Sequence, residues 1–205
     1  MFDPTELIGI IRERYEHLEG WLAPISWHKE DVFKLDNIFT QLKFVRRRRQ
    51  RGRKTDHIVD MFQIFQQHEE CSQPKRVHIE GQLGMGKTTF SYKIAYDWAK
   101  KRTGKDSFPE FEIVLLLKCR DITSGLWDAI AEQLLPKNID EEARERFFTF
   151  VQKQRSNVLL VLDGLDELPI SLWKEYEDIF EGRVLPHCYL VVTTRCEIGM
   201  GVRKC

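Results

Sequence analysis

The chain has 205 residues, enough to bury a sizeable core in one main domain. Hydrophobic residues at 42% and charged residues at 31% exclude a disordered or fibrous chain, and 32 basic against 32 acidic residues give no net charge to attract nucleic acid or a membrane surface. The five cysteines, odd in number and without a CxxC pair, exclude a disulfide framework or zinc site and read as reduced thiols. No secretory leader and no apolar stretch of about 18 residues is visible, so the cytoplasm is the expected compartment.

In chain order, Asp3 before Pro4 is a helix start, and Leu7, Ile11, Tyr15, Leu18 and Leu22 recur at helical spacing until Ala23-Pro24 stops the helix. One apolar stripe on a charged helix faces its own core far more often than a partner. Residues 1–42 therefore read as a helical lead-in region. The next stretch, 43–56, holds Lys43, Arg46, Arg47, Arg48, Arg49, Arg51, Arg53 and Lys54 and reads as a basic, solvated linker, because like charges this dense repel. An import signal, a polyanion site or an approach of the run to the downstream glycine loop are the other readings.

From residue 77 onward strand-like and helix-like segments alternate, as in a mostly parallel sheet covered by helices. Strands are expected at 77–80, 111–118, 158–162 and 189–194, and helices at 88–101, 126–135, 141–154 and 172–180. The fold class is α/β.

Three constellations carry chemistry. Gly81, Gln82, Leu83, Gly84, Met85, Gly86, Lys87 and Thr88 match G-x-x-x-x-G-K-[ST] between a strand and a helix, the context this loop requires. Glycines let backbone N–H groups turn inward around phosphate, and the helix start adds partial positive charge. Lys87 is suited to the β- and γ-phosphates, and the Thr88 hydroxyl to Mg²⁺. The apolar run 158–162 delivers Asp163 to the sheet end where α/β folds bind ligands, so Asp163 is the second candidate for the metal. Asp166 and Glu167 follow within reach of a water aimed at the terminal phosphate. In Thr193-Thr194-Arg195, Thr194 or Arg195 would sense that phosphate if the strand lies beside the glycine loop. No [NT]-K-x-D reads guanine, so adenine is the expected base. The six histidines show no metal-ligand spacing.

Taken together, the loop Gly81 to Thr89, Leu162-Asp163-Gly164-Leu165-Asp166-Glu167-Leu168, Leu117-Lys118-Cys119-Arg120-Asp121 and Thr193-Thr194-Arg195 resemble the NACHT nucleotide-binding domain of NOD-like receptors. The likeness covers about residues 76–195, within a P-loop domain expected at 57–205. It implies a three-layer P-loop NTPase fold and a signalling module of the innate-immunity type that exchanges ADP for ATP and then self-associates. By position it assigns the nucleotide to the loop through Thr89, Mg²⁺ to Thr88 and Asp163, slow hydrolysis to Asp166 and Glu167, and phosphate sensing to Arg195. It also implies further domains beyond Cys205, so the domain is expected to be incomplete at that end. A module that binds nucleotide without turning it over is the alternative.

Overall fold

A computed structural model describes residues 4–22, 32–40, 42–47, 54–69, 71–102 and 109–195. Helix α1 (Pro4–Arg14) is followed by a π-helical turn, Tyr15–Glu19, and then by a small antiparallel pair, β1 (Trp21–Leu22) and β2 (Phe33–Lys34). After α2 (Leu35–Ile38), strands β3 (Lys43–Arg47) and β4 (Lys54–Asp60) form an antiparallel hairpin. The main domain runs β5 (Arg76–Glu80), α3 (Lys87–Ala99), β6 (Ile113–Lys118), α4 (Leu126–Leu134), α5 (Glu141–Lys153), β7 (Val158–Asp163), α6 (Trp173–Phe180) and β8 (Tyr189–Thr194).

Every strand and helix expected from residue 77 onward is present, with ends shifted by a residue or two. The sheet is parallel throughout, in the order β5-β8-β7-β6, with helices flanking it. Strands β6, β7 and β8 are largely apolar runs because helices exclude water from them: every residue of β7 is buried, and Leu159, Leu160, Val161 and Leu162 are fully so. Strand β8 lies between β5 and β7, the placement on which the reading of Arg195 depended.

The N-terminal region is helical as expected over α1, but its helix does not run on to Leu22. Leu7, Ile11 and Tyr15 do face the core, but Leu18 is exposed and Trp21–Leu22 is a strand. The π-turn causes this: Gly20 N–H bonds the carbonyl of Tyr15, five residues back, so the phase rotates and Glu19 turns inward in place of Leu18. The two flanks of the basic run are strands rather than linker, while Arg48, Arg49, Arg51 and Arg53, like Asp3, lie outside the described residues. Among the described residues no helix is long and apolar enough to cross a membrane.

Tyr15 ties this region to the sheet. Its hydroxyl donates to the carbonyl of Val114 (3.1 Å) and accepts from the N–H of Leu116 (2.9 Å) on the outer side of β6. Burial raises the phenol's pKa, keeping it a donor. Farther along the same edge the Gln133 amide takes both backbone groups of Lys118, at 2.9 and 3.2 Å. Side chains thus satisfy backbone groups that would otherwise be stranded under protein. Arg12 adds a bond to the carbonyl of Trp98 (2.7 Å) and lies 4.0 Å from the centre of its ring. Replacing Tyr15 by Phe is expected to lower stability by about 1–3 kcal/mol, the usual effect of stranding buried partners. Thermal unfolding together with faster hydrogen exchange at Leu116 checks this; an unchanged Leu116 amide would show that the hydroxyl does not hold the edge.

Candidate functional site

The glycine loop leaves β5 at Glu80 and enters α3 at Lys87. Gly86 begins the helix with φ +81°, a left-handed conformation that disfavours any side chain, so the loop can curl only with glycine there. The first N–H groups of α3 have no intrahelical partner and make an anion site. The Lys87 ammonium bridges the loop's own carbonyls, at 2.7 Å to Gly81 and 2.9 Å to Gln82. Thr88 is exposed and Thr89 half-buried, whereas the next residue, Phe90, packs edge-on against Phe44 of β3 with ring centres 5.1 Å apart. The base of the hairpin therefore lies against the start of α3.

Opposite the loop, β7 ends on Asp163, only 7% exposed. A buried carboxylate needs hydrogen bonds, and two hydroxyls supply them to Oδ1: Ser91 of α3 and Thr193 of β8, each at 2.8 Å. Thr193 Oγ1 also accepts from the N–H of Gly164 at 2.9 Å. Gly164, at φ +75°, then turns the chain into the 3₁₀ segment Leu165–Glu167 that carries the remaining acids.

Both of those acids are engaged by Arg195. Asp166 accepts from the Arg195 backbone N–H (3.1 Å) and from its Nε (3.0 Å), while Glu167 accepts from its Nη2 (2.8 Å). Thr194, the alternative sensor, does not open on the cleft: its hydroxyl bonds the Arg195 carbonyl and faces His78. Strand alternation explains this, since Thr193 and Arg195 share one side and Thr194 takes the other.

These groups enclose a cleft of about 290 Å³ lined by the loop from Leu83 to Thr89, by Asp163, Asp166 and Glu167, and by Thr193 and Arg195. Gly164, Lys118, Arg120 and Tyr92 complete its walls, and sequence reasoning had given the last three no role in the site. A signal for Lys118 and Arg120 existed: they follow an apolar run at the same end of the sheet as Asp163. Ser91 had one too, lying one helical turn after Lys87 on the face toward the sheet. Under the acids, burial first, and then the charges of Asp163, Glu167 and Asp166, push the Cys119 thiol well up, so it stays neutral.

Chemically, the cleft pairs a loop and cation suited to phosphate with oxygen donors suited to a hard cation. Both hydroxyls sit on Asp163 Oδ1, which leaves Oδ2 and the exposed Thr88 hydroxyl for a metal. One carboxylate and one hydroxyl suit Mg²⁺, which keeps waters and takes phosphate oxygens rather than a full protein cage.

Residues 75–203 match the NACHT domain family. The chain is 29% identical over 127 residues to NLR family CARD domain-containing protein 4 of Xenopus tropicalis, covering 62% of this chain and 12% of that protein. It is 26% identical over 179 residues to NACHT, LRR and PYD domains-containing protein 12 of Mus musculus, covering 77% and 16%. With NACHT, LRR and PYD domains-containing protein 10 of Mus musculus it shares 32% identity over 150 residues, covering 67% and 20%. The chain thus spans between 12% and 20% of the length of these relatives.

The hydroxyl arrangement makes its own prediction. Thr193→Val strands the Gly164 N–H and removes one bond from Asp163, so the urea midpoint should fall by the equivalent of about 1–3 kcal/mol. A midpoint equal to that of the unmodified chain would mean that the acid and its turn are held some other way.

Proposed function

The chain belongs to the NACHT domain family, and from that premise we propose that it is the ATP- and ADP-binding module of a NOD-like receptor-type innate-immune signalling protein. Slow Mg²⁺-dependent ATP hydrolysis, coupled to self-association of a longer cytoplasmic protein, completes the reading. The observation that carries it is Asp163: a carboxylate fixed by hydroxyls from α3 and β8, facing the glycine loop across one cleft with Arg195.

In this reading the backbone from Gly81 to Gly86 and the Lys87 ammonium hold the β- and γ-phosphates, and Thr88 and Asp163 hold Mg²⁺. The metal, when bound, offsets charge on the phosphate oxygens. Lys87 exchanges its bonds to the Gly81 and Gln82 carbonyls for phosphate oxygens at little rearrangement, since those carbonyls belong to the loop itself. Glu167, the more exposed of the two later acids, is the group that orients the attacking water, and Asp166 holds Arg195 through backbone and side chain. Arg195 is drawn toward a terminal phosphate as charge builds there.

The same ion pairs favour a second reading, a module that binds nucleotide without turnover. With Arg195 on both carboxylates, neither acid is free to take a proton from water until the arginine moves. The two readings differ in measurable ways. Lys87→Ala should abolish ATP and ADP binding in calorimetry; retained affinity would remove the loop from the site. Glu167→Gln should leave ATP affinity unchanged and cut phosphate release about a hundredfold or more, an effect of the size expected for losing a general base (about 10²–10⁴). Full release by that variant moves the role to Asp166, and binding without release by the unmodified chain establishes the second reading.

A further inference from the structure

Lys118 ends β6 in register with Asp163 of β7, so its side chain stands on the wall of the cleft beside the metal-site carboxylate. Its backbone is clamped by Gln133. Its ammonium lies 3.1 Å from Oε1 of Glu19, at the end of the π-helical turn, and 4.8 Å from the ring centre of Tyr92, another wall residue. The partners differ in exposure: the Lys118 side chain is 28% accessible, from the cleft side, and that of Glu19 only 6%. Burial lowers the affinity of the Lys118 amine for its proton, but Glu19 and Tyr92 outweigh this and the pKa ends above the ordinary lysine value, so the group is a full cation.

We propose that Lys118 is a phosphate-reading cation of the cleft whose availability is set by Glu19, so that nucleotide binding and the docking of the Tyr15–Glu19 turn oppose each other. The inference rests on the nucleotide reading of the site. One ammonium stands between two claims, a buried carboxylate on one side and, on the other, the polyphosphate that the loop is built to hold. Among the described residues Lys118 is the ion-pair partner of Glu19, and a carboxylate so deeply buried cannot be left alone without a large penalty. When Lys118 turns to phosphate, Glu19 must find water, and the turn must open to admit it. That turn also carries Tyr15, whose hydroxyl holds β6 at Val114 and Leu116. By reciprocity, whatever keeps the turn docked withholds a cation from the nucleotide, and nucleotide loosens the turn by the same factor. The π-turn is what makes this geometry: regular α-helix would carry Leu18 toward the core, as the apolar spacing suggests, and leave Glu19 outside.

Glu19→Gln keeps the shape and removes the competing charge. In calorimetry on the full chain with Mg²⁺ present, its affinity for ATP should rise about tenfold, within the usual range of coupling between two sites. Lys118→Met should weaken ATP binding, and the Glu19→Gln gain should vanish in the Lys118→Met background. Unchanged affinity in Glu19→Gln, or a gain that persists without Lys118, overturns the proposal, the second result showing that Glu19 acts only through packing. If Glu19→Gln does not fold, hydrogen exchange of the unmodified chain decides. Saturating ATP should speed exchange at Leu116, and a constant rate overturns the coupling. An unmodified chain that binds no ATP refutes the nucleotide reading itself, whereas binding without the Glu19 effect refutes the coupling alone.

Discussion

Everything at the cleft depends on one buried carboxylate. Asp163 sits at the end of a strand with no exposed residue, where an unpaired charge would destabilise the whole sheet. Ser91 and Thr193 resolve this with hydroxyls delivered by the two elements on either side, α3 and β8. The solution has a geometric result: the helix that begins at the glycine loop, the acid strand and the strand that carries Arg195 are tied at a single oxygen. Moving any one of them disturbs the other two. The Thr193 hydroxyl extends the tie to the Gly164 N–H, and so to the turn presenting Asp166 and Glu167.

The central sheet was legible because β6, β7 and β8 are buried on both faces, and an apolar run bounded by glycine or charge has few other uses. The glycine loop and Asp163 were legible for the same reason in reverse, being polar groups placed at the ends of apolar runs. The Ser91 hydroxyl was legible only in part: its place one turn after Lys87 puts it on the sheet-facing side of α3, but its bond to Asp163 shows only in the fold. The Arg195 contacts to Asp166 and Glu167 join residues 29 and 28 positions apart, beyond the range of any local pattern.

The N-terminal region misled for a different physical reason. Its apolar spacing fits an α-helix as far as Leu22, and the extra residue of the π-turn is invisible to a count that assumes a fixed period. The basic run was read from charge repulsion alone. Strand pairing between β3 and β4, with Phe44 seated on Phe90, outweighs that repulsion at the two flanks of the run. In both places long-range contacts decided what local composition could not.

One outer strand of the sheet is braced by side chains. Along β6, the Tyr15 hydroxyl takes the Val114 carbonyl and the Leu116 N–H, and the Gln133 amide takes both backbone groups of Lys118. Strand β5, at the opposite end of the sheet order, pairs with β8. The β6 edge therefore resists extension: a further strand pairing along this stretch of β6 would first have to displace Tyr15 and Gln133.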